Sequence, residues 1–371
     1  MTSVLREAEY GGESSAARLD HSASDLLRSS VTTELSRFCD QKLKELPDEA
    51  LLPWMQLLRS FIVEGGKRMR AVLCGLAFRG AGGDAQASCL NAVGAALELL
   101  QAFLLIQDDI IDGSLLRRGR PTLHRQLAAW NAQRSHRAED AVYGQSIAIL
   151  LSDIALGWAL ELVNKSVTDP LRAQAVRTGF DRLVRDVNYG QALEMLLMAD
   201  RRYSASSGLR VAHYKTATYT VLGPLLIGGA LASAPAALQS AYAELGLPVG
   251  VAFQLRDDLL GVFGSAERTG KSNLDDLREG KPTVLISLSL ERMPPAQRDH
   301  ALSLYGQPDL DEKGAAELRS LIRATGAIDE IEVMIAERAQ KAMHTLSQAP
   351  MTAAAQAELA TFIQSALYRD R

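Results

Sequence analysis

The stretch AVGAALELLQAFLLIQDDIID, residues 92–112, decides the fold. It is apolar almost all round as far as Ile106 and then carries Asp108, Asp109 and Asp112 in quick succession. A segment rich in Ala and Leu and hydrophobic on every side reads as a central helix of a helical core. Carboxylates at the end of such a helix are costly unless they are paired or hold a cation. Asp108 and Asp112 are four apart and share one helical face, where they can hold an oxygen-preferring ion such as Mg²⁺ that bridges phosphate groups.

Working outward, the same texture continues. Ala217 to Leu231 is again apolar on all sides, aromatic residues make up only 5% of the 371, and alternating β-branched runs are few, so the chain is predicted to be all-α. Breaks are expected at Glu64-Gly65-Gly66, Gly80 to Asp84, Gly113 to Pro121, Asn131 to Asp140, Asp169-Pro170, Asp200 to Ser207, Ser233 to Ala236, Ser265 to Pro282 and Met293 to Gln297. No break is long enough for a domain linker and no repeat recurs, so residues 21–371 are expected to form a single bundle of about ten or more helices. Residues 1–20, rich in Gly, Ser, Ala and charge, are expected to be a flexible lead.

The net charge of −4 supplies no basic field for nucleic acid or an anionic membrane. Cys39, Cys74 and Cys89 are widely spaced, with neither a CxxC pair nor a Cys/His cluster, which argues against a disulfide framework or a zinc site. No signal-like leader is evident, and runs such as Val93 to Ile106 are judged too short and too near charge to cross a bilayer. A soluble, cytoplasmic protein is expected.

Three further motifs carry chemistry. Arg117-Arg118-Gly119-Arg120-Pro121-Thr122 places a cationic turn beside the first acidic run, suited to a diphosphate. A second acidic run, Phe253-Gln254-Leu255-Arg256-Asp257-Asp258-Leu259-Leu260-Gly261, again lies in apolar helix and is followed by Thr269-Gly270-Lys271 and Gly280-Lys281-Pro282-Thr283. Two such helices facing each other could trap metal ions around one diphosphate. Upstream, Gly65-Gly66-Lys67-Arg68-Met69-Arg70 offers backbone donors, Lys67 and Arg70 to an anion without metal.

Together with Tyr189-Gly190-Gln191 and Lys215-Thr216, these motifs occur in the order and spacing of the trans-isoprenyl diphosphate synthases, which the chain resembles over about residues 25–370. Residues 269–285, TGKSNLDDLREGKPTVL, look like bacterial geranylgeranyl diphosphate synthases in particular. The resemblance implies a bundle around a deep central cavity, a homodimer, and about three Mg²⁺ ions per site. It implies Asp108, Asp112 and Asp257 as metal ligands, with Asp109 and Asp258 supporting them. Arg117, Lys215 and Lys271 would meet the allylic diphosphate (dimethylallyl, geranyl or farnesyl), and Lys281 would also bind substrate. Isopentenyl diphosphate would lie in a metal-free pocket of Gly66, Lys67, Arg70, Gln101 and Arg118. Thr216 and Gln254 would stabilise the allylic cation formed by ionisation before condensation and elimination.

Two positions depart from the family pattern. Gln101 stands where many bacterial relatives have His, and Gly261 stands where the second motif often has its third Asp. In relatives, bulk one turn before the first Asp sets product length. The single aromatic Phe103, followed by the smaller Leu104, therefore implies a geranylgeranyl product, with farnesyl and geranylfarnesyl diphosphate as alternatives. The rival readings are a class I terpene cyclase, opposed by Lys67 to Arg70 and by the low aromatic content, and a non-catalytic synthase subunit, opposed by the intact first acidic run.

Overall fold

The computed structural model describes residues 15–135, 140–264 and 274–368, the side chains of 15–23 and 135 excepted. Helix α1 spans Ser15–Lys44, so it begins inside the stretch expected as a lead; residues 1–14 lie outside the described residues. After a 3₁₀ turn at Glu49–Leu51 come α2 (Leu52–Val63), α3 (Met69–Gly80) and α4 (Ser88–Ile111). A two-residue antiparallel ribbon, β1 (Leu116–Arg117) with β2 (Arg120–Pro121), then leads to α5 (Leu123–Ser135), which runs past the break expected from Asn131. Asp140 caps α6 (Ala141–Ser166) by accepting from the Tyr143 amide at 3.0 Å, and Asp169 caps α7 (Pro170–Ala199) through the Arg172 amide at 2.8 Å. Pro170 sits at the first helical position, where its missing N–H costs nothing.

Helix α8 (Ala205–Val211) widens without interruption into a π-helical segment, Ala212–Leu222, and then resumes as α9 (Gly223–Leu231). Next come α10 (Ala236–Phe263), α11 (Asp275–Glu279), α12 (Val284–Arg292), α13 (Pro295–Leu304), α14 (Glu312–Ala324), α15 (Ala327–Gln348) and α16 (Ala353–Leu367). The fold is all-α, as the composition implies. The turns ahead of α2, α14, α15 and α16 carry Pro47, Pro308, Gly326 and Pro350, further breaks beyond those expected from the sequence.

Helix α4 packs most extensively on α6, α10 on the π segment and α15, and α3 on α9. Two hydrophobic clusters result, one built on α10, α12 and α15 and the other on α1, α3, α4, α6 and α7. Both α4 and α6 are long and apolar enough to cross a membrane, contrary to the expectation that no such run exists. In the fold the apolar window of α4 is 67% buried, as a core helix requires, whereas that of α6 is only 39% buried.

Two glycines fix the π segment. A Cβ on Gly190 of α7 would fall on the Lys215 backbone nitrogen, and one on Gly250 of α10 would lie 2.5 Å from the Ala217 Cα. The segment is thus clamped between α7 and α10 at backbone contact distance, which fixes where Lys215 and Thr216 emerge. π turns within α-helices are frequent at functional sites. Gly190→Ala and Gly250→Ala are each expected to lower the unfolding free energy by about 1–3 kcal/mol, the usual cost of overpacking, measured by denaturant titration. An unchanged midpoint would mean that the clamp is slack.

Candidate active site

A cavity of about 810 Å³ opens between the two hydrophobic clusters. Asp108 reaches it from α4, Asp257 and Asp258 from α10, Lys215 and Thr216 from the π segment, and Asp276 and Lys281 from around α11. Lys67, Arg70 and Gln101 line it as well, so most of the charged residues picked out in sequence share one space.

The acids are met by bases at once. Lys215 Nζ lies 2.5 Å from Glu194 and 3.3 Å from Asp108. Lys281 Nζ lies 2.6 Å from Asp112 and 2.7 Å from Glu279. Arg117 donates to Asp109 at 2.5 and 2.8 Å and to Asp108 at 3.1 Å. Burial alone would lower the Lys215 and Lys281 ammoniums, but the surrounding carboxylates outweigh it and raise both, so they stay charged. Burial raises the Asp112 carboxyl despite Lys281, and raises Asp258 well above the carboxylate range despite the hydrogen bond from Gln254.

A polar chain crosses the cavity wall. Thr216 Oγ1 donates to Gln254 Oε1 at 2.6 Å, and Gln254 Nε2 donates to Asp258 Oδ1 at 2.6 Å. Asp258 is thereby tied to the π segment, while Asp257, one residue earlier, lines the same cavity.

A second set of cations is carried by residues 65–70 and by the ribbon turn. Gly65 and Gly66 adopt φ of 81° and 90°, and Arg118, at a φ of 55° in the ribbon's two-residue turn, reaches back to the Glu64 carbonyl at 2.9 Å. A positive φ on both Arg118 and Gly119 is what a two-residue hairpin turn demands, and an arginine held there is an unusual conformation of the kind found at functional sites. Arg70 stacks 4.0 Å from the Tyr219 ring centre and donates to Thr220 at 2.8 Å, yet its Nε is buried without a hydrogen-bond partner. The Tyr219 hydroxyl donates to Gln101 Oε1, which leaves the Gln101 amide nitrogen to act as a donor. Arg68, by contrast, is buried and spends its guanidinium on the Ile62 and Val63 carbonyls and Glu98, so it ties the loop to the core.

Phe103, expected as the floor of the cavity, is not on its wall: it is 6% exposed and packed in the hydrophobic core, because five residues before Asp108 is a different helical face. Leu104 and Leu105, four and three residues before Asp108, do line the cavity. Lys271 lies outside the described residues. Sequence reasoning missed Glu194, Tyr219, Asp276 and Glu279. Glu194 had a signal, an acid four residues after Gly190 in an apolar run, whereas Tyr219 was hidden among core-like residues.

The donor set is oxygen only and suits a hard cation. Among the described residues no three acidic, His or Cys side chains converge on one point as a ready-made metal cage. Asp108 and Asp257 instead come from separate helices, as Mg²⁺ sites do when diphosphate oxygens supply the remaining ligands. The residues present therefore fit magnesium bound together with a diphosphate.

The polyprenyl synthetase family model matches residues 53–322. The geranylfarnesyl diphosphate synthase of Aeropyrum pernix is 30% identical over 302 residues, 80% of this chain and 88% of that protein. The geranylgeranyl diphosphate synthase of Mycobacterium tuberculosis is 29% identical over 299 residues, 80% of each chain. Among solved structures, geranylgeranyl pyrophosphate synthase from Corynebacterium glutamicum, complexed with isoprenyl diphosphate and magnesium, superposes with a TM-score of 0.89 at 32% identity, covering 93% of this chain and 99% of that one.

Burial pushes the Glu279 carboxyl up to about 7, with Lys281 only partly opposing it. A carboxyl that binds its proton more tightly folded than unfolded costs stability as it ionises. Its contribution is therefore full below pH 4.5 and lost as pH rises through about 7. Glu279→Gln should remove up to about 3 kcal/mol of this pH dependence. Denaturation at the two ends of that window should show a flatter profile for the variant than for the parent, and parallel profiles would refute the assignment.

Proposed function

The chain belongs to the polyprenyl synthetase family of trans-prenyl diphosphate synthases, and from that premise we propose that it condenses isopentenyl diphosphate with an allylic diphosphate to give geranylgeranyl diphosphate. The observation that carries the proposal is one cavity with two kinds of anion-binding wall. Asp108, Asp257, Lys215 and Lys281 suit a diphosphate carried with metal, and Lys67, Arg70 and Gln101 suit one without.

Magnesium, when bound, neutralises the allylic diphosphate and makes it a better leaving group. Asp108, Asp112 and Asp257 would hold it, with Asp109 and Asp258 kept in place by Arg117 and Gln254. The C–O bond of the allylic substrate breaks and its electron pair leaves with the diphosphate. Lys215 and Lys281, both held charged, and Arg117 stabilise that departing charge, the main lever on the barrier. Thr216 and Gln254 present oxygen dipoles to the allylic cation. The isopentenyl double bond then attacks the cation, and loss of one proton restores a neutral chain, the released diphosphate serving as base.

For product length, the wall residues Leu104 and Leu105 form the floor and Phe103 backs them from the core. The expected assay outcome, with isopentenyl diphosphate and each allylic primer, is a geranylgeranyl alcohol after dephosphorylation. That product should vanish with EDTA and fall about 10³-fold in Asp108→Asn. Leu104→Phe should shorten the product to farnesyl. No condensation with any primer would overturn the enzyme reading, and an unchanged chain length in Leu104→Phe would move the floor.

A homodimer accounts for α6. Val142, Leu150, Ile149 and Ile154 on this helix are exposed at 70, 58, 43 and 36%, an apolar face that water does not favour. We place the dimer contact there, and the free cysteines support a cytoplasmic location. Sedimentation should give twice the chain mass for the parent and a shift toward the chain mass for Leu150→Glu; a parent at chain mass would end the dimer proposal.

A further inference from the structure

The two acidic runs are not equivalent in space. On α4 the residue one turn beyond Asp108 is Asp112, whereas on α10 the residue one turn beyond Asp257 is Gly261, which lines the cavity with no side chain. The room that side chain would take is already filled. A Cβ at position 261 would fall on Asp276 Oδ2 and lie 2.8 Å from its Cγ. The Asp276 carboxylate therefore stands where a carboxylate borne by residue 261 would begin, and it faces the same cavity as Asp257 and Asp258.

The placement is held firmly. Asp276 sits on α11, whose Leu277 is fully buried in the core cluster with Leu255 and Leu259 of α10. The next residue, Arg278, donates to the Leu310 carbonyl at 3.0 and 2.6 Å. The Leu277 carbonyl accepts from the Gly306 amide at 2.9 Å, and Gly280, at a φ of 69°, turns the chain out of the helix. Anchored on its C-terminal side at three points, α11 presents Asp276 to α10 with little freedom. Filling the gap at Gly261 for packing alone would call for an apolar side chain; a carboxylate beside two others adds repulsion that a bound cation relieves.

We propose that Asp276 supplies the third carboxylate of the downstream acidic cluster, taking over from α11 the place that α10 leaves empty at Gly261. The assignment rests on the magnesium reading above and deepens it: Asp276 supports the metal-bound diphosphate alongside Asp257.

The test is calorimetric titration of inorganic diphosphate in the presence of Mg²⁺ into the full-length protein, with no turnover required. Asp276→Asn, close in shape and lacking the charge, should bind about 10- to 100-fold more weakly, the range seen when carboxylates supporting a metal site are removed. Moving the carboxylate back to α10, in Gly261→Asp/Asp276→Ala, should recover most of the affinity, a rescue that a purely structural role would not give. Parental affinity in Asp276→Asn would overturn the proposal, as would a folded double variant, helical by circular dichroism, that fails to recover. If the unaltered protein shows no magnesium-dependent diphosphate binding, the metal reading itself falls, an outcome distinguishable from either of these.

Discussion

The structure depends on carboxylates held at short range inside a hydrophobic bundle. Asp109 is 1% exposed, and the Asp112 side chain 4%. Unpaired, each would cost several kcal/mol, about the whole stability margin of a domain. The fold answers with Arg117 on Asp109, Lys215 between Glu194 and Asp108, and Lys281 between Asp112 and Glu279. The helices can close around the cavity only because each base arrives on a separately positioned element. Such pairs add little net stability over apolar packing, so their retention argues for a use in binding.

That use follows from what the bases can exchange. Each lysine shares its charge among carboxylates that also suit a divalent ion, and each can turn to phosphate oxygens once an ion takes over the carboxylates. About two helical turns along α4, some 10 Å away, Gln101 lines the cavity, as do Arg70 and Lys67. Tyr219 links the two regions. It belongs to the same π segment as Lys215, and it holds both Arg70, through its ring, and Gln101, through its hydroxyl. Two similar anionic groups can thus be met by different chemistry within one cavity.

The helical class and the acidic face of α4 were legible in the sequence because both rest on local periodicity: residues four apart share a face whatever the rest of the chain does. The caps at Asp140 and Asp169 and the turn at Arg118 and Gly119 are local too. What periodicity could not give was contact between distant segments. The π segment looks like ordinary helix in sequence, and its register is imposed by Gly190 and Gly250 from two other helices. Phe103 was misplaced for a related reason. Its distance from Asp108 along the chain suggested a place below the acids, yet the turn of the helix sends it into the core and leaves Leu104 on the wall. The exposed apolar face of α6 escaped as well, because an apolar helix reads the same in sequence whether its outer face is buried or exposed.

Gly261 shows the deeper difference between a motif as a string and a motif as a volume. Along the string, a glycine at that position is a lost carboxylate. In space, the absent side chain leaves room that a carboxylate from α11 occupies, so the charge near Asp257 is kept while its covalent attachment moves. Electrostatics acts on where a charge stands and takes no account of which residue carries it. Such a site can therefore do without a carboxylate at one position provided that a neighbour, anchored as Asp276 is by Leu277 and Arg278, already stands in the field. What the geometry keeps is the density of negative charge facing the cavity, and that density permits more than one spelling.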